Sequence, residues 1–120
     1  MKLNARYVTV SDFDDQYFEV TFGNEDPAVD YDPDAPIRPY VLLQRQFEDA
    51  DGGVCYLGTH QPDRYAGHLG LRLVEFTPTC LIFEIDRPQD RLVEVTFRLG
   101  ARRFREVQRV VNIIFGLNVS

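Results

Sequence analysis

Few residues of this 120-residue chain are of types that do chemistry, and their spacing decides what they can do. Asp30-Tyr31-Asp32-Pro33-Asp34 opens like a calcium loop, with carboxylates at the alternate positions a hard cation requires. The pattern then fails. Ala35 stands where the sharp turn needs glycine, and Val41 stands at the twelfth position, where a bidentate glutamate belongs. Neither flank has helical periodicity, so the segment reads as a solvated acidic loop, and no metal or other cofactor is expected.

Cys55, His60, His68 and Cys80 are the soft-ligand candidates, and their spacing matches no zinc pattern. Two cysteines do not make a disulfide framework; both read as small buried hydrophobes on strands. A Cys–His nucleophile pair would need a spatial adjacency that spacing does not supply. There is no G-x-S-x-G elbow, P-loop or dinucleotide fingerprint, and the glycines at 52, 53, 58, 67 and 70 read as turns and bulges. The expectation is a protein without catalysis, with a small Cys/His hydrolase as one alternative. Arg45 shares an alternation face with Val41, Leu43 and Phe47, so it points toward the edge of the core. A partly buried arginine needs a partner, and Glu84 or Glu94 on other strands could supply it.

Charge narrows the partners. The chain carries −6 overall, and the charge is uneven. Residues 1–51 hold twelve acids against Lys2, Arg6, Arg38 and Arg45, giving −8; residues 52–120 hold seven acids against nine arginines, giving +2. Net negative charge argues against nucleic acid and against anionic membrane surfaces, both of which are bound chiefly by Lys and Arg. Apolar runs reach no more than five residues, too short for a membrane-spanning helix, and no basic region followed by an apolar one marks a signal peptide. A soluble, single-domain, cytoplasmic protein over 1–120 is expected. Its acidic surface leaves room for a basic protein partner.

The elements that must position these residues read mostly with period two. Val8 and Val10 alternate with Tyr7 and Thr9, and Phe18, Val20 and Phe22 with Tyr17, Glu19 and Thr21, around a polar turn at Asp12–Gln16. Further strands span Tyr40–Phe47, Val54–Thr59, Leu69–Phe76, Cys80–Ile85 and Arg91–Leu99, the last with Val93, Val95, Phe97 and Leu99 inward. After Gly100 the period becomes helical: Phe104, Val107, Val111 and Ile114 form a stripe over Ala101–Phe115, closed by Gly116. The segment Gly23–Pro39 contains four prolines, five acids and no period, and reads as a long exposed loop. The fold class is α+β: an antiparallel sheet of about six to seven strands with one C-terminal amphipathic helix packed on one face.

Residues 39–116 carry a resemblance. Tyr40-Val41-Leu42-Leu43-Gln44-Arg45, an acidic glycine-containing turn, the strand Val54-Cys55-Tyr56-Leu57, then Tyr65-Ala66-Gly67-His68 and Phe83-Glu84-Ile85 before a final strand and helix resemble the bacterial polymorphic-toxin immunity proteins, in particular immunity protein family ten. The likeness covers about two thirds of the chain. It departs from the family at Ala66-Gly67-His68, where family members tend to carry paired glycines. The resemblance implies a cytoplasmic antitoxin that blocks a cognate toxin domain, often a nuclease, by steric occlusion. Nuclease clefts are basic, and an acidic inhibitor meets them with complementary potential. Asp12, Asp14, Asp15, Asp30, Asp32 and Asp34, with Tyr31 as aromatic anchor, are the expected partner-binding residues. Failing that, the surface would be the sheet face left open by the helix, around Glu75, Glu84 and Glu94. A subunit that self-associates through a sheet edge or the helix is the other alternative.

Overall fold

A computed structural model describes residues 1–13, 17–26, 28, 34, 36, 38–46 and 55–116. Alternating β-branched and aromatic residues form nine strands: β1 (Lys2–Asn4), β2 (Tyr7–Phe13), β3 (Tyr17–Gly23), β4 (Tyr40–Gln46), β5 (Cys55–Thr59), β6 (Gly67–Leu69), β7 (Leu71–Thr77), β8 (Cys80–Ile85) and β9 (Leu92–Thr96). The helix α1 spans Ala101–Ile114. The molecule is α+β, as the periodicities predict.

The expected single sheet is corrected to two: a four-stranded sheet ordered β1-β9-β8-β7 and a five-stranded sheet ordered β2-β3-β4-β5-β6. The β1–β9 pair is parallel and the other pairs are antiparallel. The difference arises because two runs of chain bend and change sheets, which is how packed sheets make corners. At the first corner, the Ala5 amide donates to Thr96 O (2.7 Å) in one sheet, and the next amide, Arg6, donates to Gly23 O (3.0 Å) in the other. At the second, the run expected as one strand over Leu69–Phe76 breaks at Gly70, whose carbonyl accepts from the Asp86 amide at 2.8 Å. Lys2–Asn4 is too short to alternate legibly, so β1 adds a strand that periodicity does not predict.

The inward residues of both sheets meet in one core. Phe22, Val41, Leu43 and Leu57 from the five-stranded sheet and Leu81, Phe83, Ile85, Val93 and Val95 from the other are fully buried. Burial of each such side chain stabilises the fold by about 1.5–3 kcal/mol. Beyond the end of β9, the Phe97 and Leu99 amides bond Thr79 O and Pro78 O, so the inward placement of Phe97 and Leu99 persists as expected.

Helix α1 packs chiefly on β3, with β2 and β4 beside it, and buries Val107, Val110, Val111 and Ile114. Its aromatic residues reach the other sheet: Phe104 lies 5.0 Å from Phe76 and Phe115 lies 5.9 Å from Phe83, ring centre to ring centre. The helix therefore ties the sheets together. It stops one residue short of the expected end, and Gly116 follows with φ +70, a left-handed conformation that glycine adopts without a steric penalty.

Candidate functional site

Of the expected partner-binding residues, Asp14, Asp15, Asp30, Tyr31 and Asp32 lie outside the described residues, and Asp12 and Asp34 lie within them. Asp34 stands in an exposed turn. The root of the acidic segment is well defined. Asn24 Nδ2 donates to Asn4 O at 3.1 Å, and Arg38 Nη1 donates to Asn24 O at 3.2 Å. Asp26 Oδ1 accepts the Ala28 amide at 2.9 Å, an Asx-type turn, and Glu25 and Asp26 are both exposed. The segment thus leaves β3 beside the corner of the two sheets.

Asp12 lies in β2 rather than in the hairpin turn. Its Oδ2 accepts from Arg109 Nη1 at 3.0 Å, and the Arg109 guanidinium lies 6.0 Å over the Phe18 ring. One of the expected surface acids therefore also docks the helix against the hairpin.

Arg45 faces inward with Val41 and Leu43, half-buried, as alternation predicts. Its Nη1 donates to Ile113 O at 3.0 Å, at the negative end of the helix dipole. Helix α1 has no base in its own last turn, so β4 supplies one. The carboxylates expected to pair with Arg45 are engaged elsewhere: Glu84 accepts from Arg72 and Arg91, and Glu94 faces Lys2 at 3.8 Å.

The two nucleophile candidates differ in placement. Cys55 is buried, as expected, and its Sγ donates to Ile114 O at 3.0 Å. Burial pushes its thiol pKa up, only partly opposed by Arg45. Cys80 corrects the expectation: it is half-exposed on the outward side of β8, across from Thr77 and Thr96, because strand alternation gives Leu81 and Phe83 the inward places. Its thiol is also pushed up, by burial and then by Glu94 and Glu75. Nucleophilic cysteines need the opposite shift. His60 Nδ1 lies 3.2 Å from Tyr40 N and 3.3 Å from Tyr40 O, and the His68 ring meets Tyr56 edge-on at 5.4 Å. Among the described residues, no three His, Cys, Asp or Glu side chains gather to hold a metal ion.

The two sheets present different outward faces. On the four-stranded sheet, register places Glu75, Ile82, Glu94 and Lys2 in one row and Arg72, Glu84 and Leu92 in the next. Glu75, Glu84 and Glu94 do share a face away from the helix. Arg72 first, then Arg91, holds the Glu84 carboxyl below the ordinary glutamate range, against the opposing effect of desolvation. On the five-stranded sheet the outward rows instead carry Tyr7, Thr9, Thr21, Tyr40, Leu42 and Tyr56. The apolar half of each alternation, which marks the core, leaves this face unremarked. Its signal lies in the other half, which holds Tyr and Thr where an ordinary solvated face holds Lys and Glu.

No helix among the described residues is long and apolar enough to cross a membrane. No protein-family model matches this chain, and no curated protein matches it.

Proposed function

We propose that this chain is a non-catalytic, immunity-type inhibitor that binds a basic toxin domain through its acidic side and occludes it. One observation carries the reading. The four bases of the acidic half are engaged within the fold: Lys2 faces Glu94 on the neighbouring strand, Arg6 lies over the Tyr7 ring at 5.8 Å, Arg38 donates to Asn24 O, and Arg45 donates to Ile113 O. Residues 1–51 keep a net charge of −8 with those bases counted, and Glu25, Asp26 and Asp34 stand exposed. Such a field steers a basic partner and accelerates encounter. The raised thiol pKa values of Cys55 and Cys80 weigh against the Cys/His hydrolase alternative.

The test is co-expression with the C-terminal domain of the protein encoded immediately upstream of this chain's gene, first shown to be toxic when expressed alone. Survival that depends on the chain, together with a one-to-one complex on size exclusion, supports the reading. Unchanged toxicity overturns it, and a stable homo-oligomer without the toxin favours the self-associating subunit.

A further inference from the structure

The outward side of the five-stranded sheet has the composition of an interface centre. Interface cores are depleted of charge and enriched in tyrosine relative to ordinary surface. Among the described outward positions of β2 to β6, Glu19 alone bears a formal charge, and it accepts from Gln44 Nε2 at 2.9 Å. The chain as a whole is 27% charged, and the outward face of the other sheet carries five charged residues, Lys2, Arg72, Glu75, Glu84 and Glu94, beside Ile82 and Leu92. The contrast belongs to one face, not to the composition.

Its aromatic residues are also held in place. Tyr7 and Tyr40 flank Gly23 in one row of the ladder, and Tyr40 Cβ lies 3.4 Å from where a Gly23 Cβ would stand. Tyr56 Cε1 lies 3.3 Å from the corresponding point at Gly58, so its ring covers the bare backbone there. Tyr40 meets His60 at 6.3 Å and Tyr56 meets His68 at 5.4 Å, ring centre to ring centre. Rings already fixed by neighbours lose little freedom on binding, which is what an anchoring residue needs. Five strands of up to seven residues give roughly 500 Å² of flat area, and side-chain relief brings that toward the ~800 Å² per partner of a standard interface.

We infer that this face, with Tyr7, Tyr40 and Tyr56 as anchors, is where a basic protein docks; the inference rests on the reading of a basic partner given above. The sign of the partner follows from charge complementarity. Of the twelve acids in residues 1–51, Glu19 is on the face and the other eleven fall at Asp12 or in the sequence that joins β2 to β3, β3 to β4 and β4 to β5. An aromatic centre with a single charge, Glu19, carried by a strongly acidic half fits a partner with a largely apolar centre and basic surroundings.

The test is an amide NMR titration of the isotope-labelled chain with egg-white lysozyme, a small basic protein, at low salt. The expected result is shift changes at Thr9, Thr21, Leu42 and Gly58 that high salt reverses. Affinity should fall about tenfold in Tyr40→Ser/Tyr56→Ser and stay within about twofold in Arg72→Ser/Leu92→Ser. Mapping on the wild-type chain locates the contact surface even if the tyrosine variant fails to fold. Changes centred on Arg72, Glu84 and Leu92, changes spread over both sheets, or no change at all would overturn the inference. Concentration-dependent changes on the tyrosine face without lysozyme would make a second copy the occupant and would also overturn it. Localised lysozyme contacts with failed co-expression would remove the inhibitor and keep the face; protection without localised contacts would do the reverse.

Discussion

Asp12 and Arg109 stand 97 positions apart in the chain and 3.0 Å apart in the fold, joining the end of β2 to the exposed side of α1. The pair is partly open to solvent, with the Asp12 side chain 30% exposed and Arg109 55%. Screened pairs of this kind contribute little. A double-mutant cycle with Asp12→Asn and Arg109→Gln, followed by urea unfolding, should give a coupling energy below about 1 kcal/mol. A coupling well above that would make the pair a principal clamp on the helix.

Val111 is fully buried in the stripe that α1 lays on β3. Val111→Asp would place a carboxylate in the core with no partner built for it, and the domain should lose more than about 4 kcal/mol and unfold at ordinary temperature. Circular dichroism melting decides this: a wild-type melting curve would mean the stripe does not face the core.

The helix is legible because Phe104, Val107, Val111 and Ile114 repeat at a helical period and Gly116 ends it, both local signals. The inward halves of the strands are legible for the same reason, since alternation is a property of each strand alone. What escapes are relationships between distant segments. The bends at Ala5-Arg6 and Gly70 that split one sheet into two depend on where Thr96 O, Gly23 O and the Asp86 amide stand in the fold. Arg45 can be placed at the core's edge, but its Ile113 partner depends on where the helix ends relative to β4. The acidic character of the candidate surface is plain from residue types, whereas the tyrosine face needs the registers that bring Tyr7, Tyr40 and Tyr56 onto one side.

Gly116 has φ +70, and a Cβ there would lie 2.9 Å from Arg45 Nη1. Gly116→Ala should therefore cost about 1–2 kcal/mol from backbone strain, with a further loss as Arg45 is displaced from Ile113 O. Thermal unfolding of Gly116→Ala, alone and combined with Arg45→Ala, separates the two: the cost should be smaller in the Arg45→Ala background.

Glu84 gives a pH signature. Its carboxyl is held below the ordinary range by Arg72 and Arg91, so it binds a proton less readily folded than unfolded. Its contribution to stability is fully present above the unfolded glutamate pKa and is lost as pH falls through the lowered folded value. The stability gap between wild type and Glu84→Gln should therefore close as pH is lowered through the acid range. A gap independent of pH would mean that the two arginines do not favour the ionised form.

The central claim, that the acidic side of this molecule recognises a basic toxin domain, is tested most directly by association kinetics. Stopped-flow mixing of that domain with wild type and with Asp30→Asn/Asp32→Asn/Asp34→Asn, across a range of salt, reads charge steering directly. The triple variant should unfold within about 0.5 kcal/mol of wild type if the segment is the solvated loop its sequence predicts. Its association rate at low salt should fall about tenfold, and its salt dependence should flatten. Equal rates and equal salt slopes for the two proteins, with full protection retained, would contradict the claim.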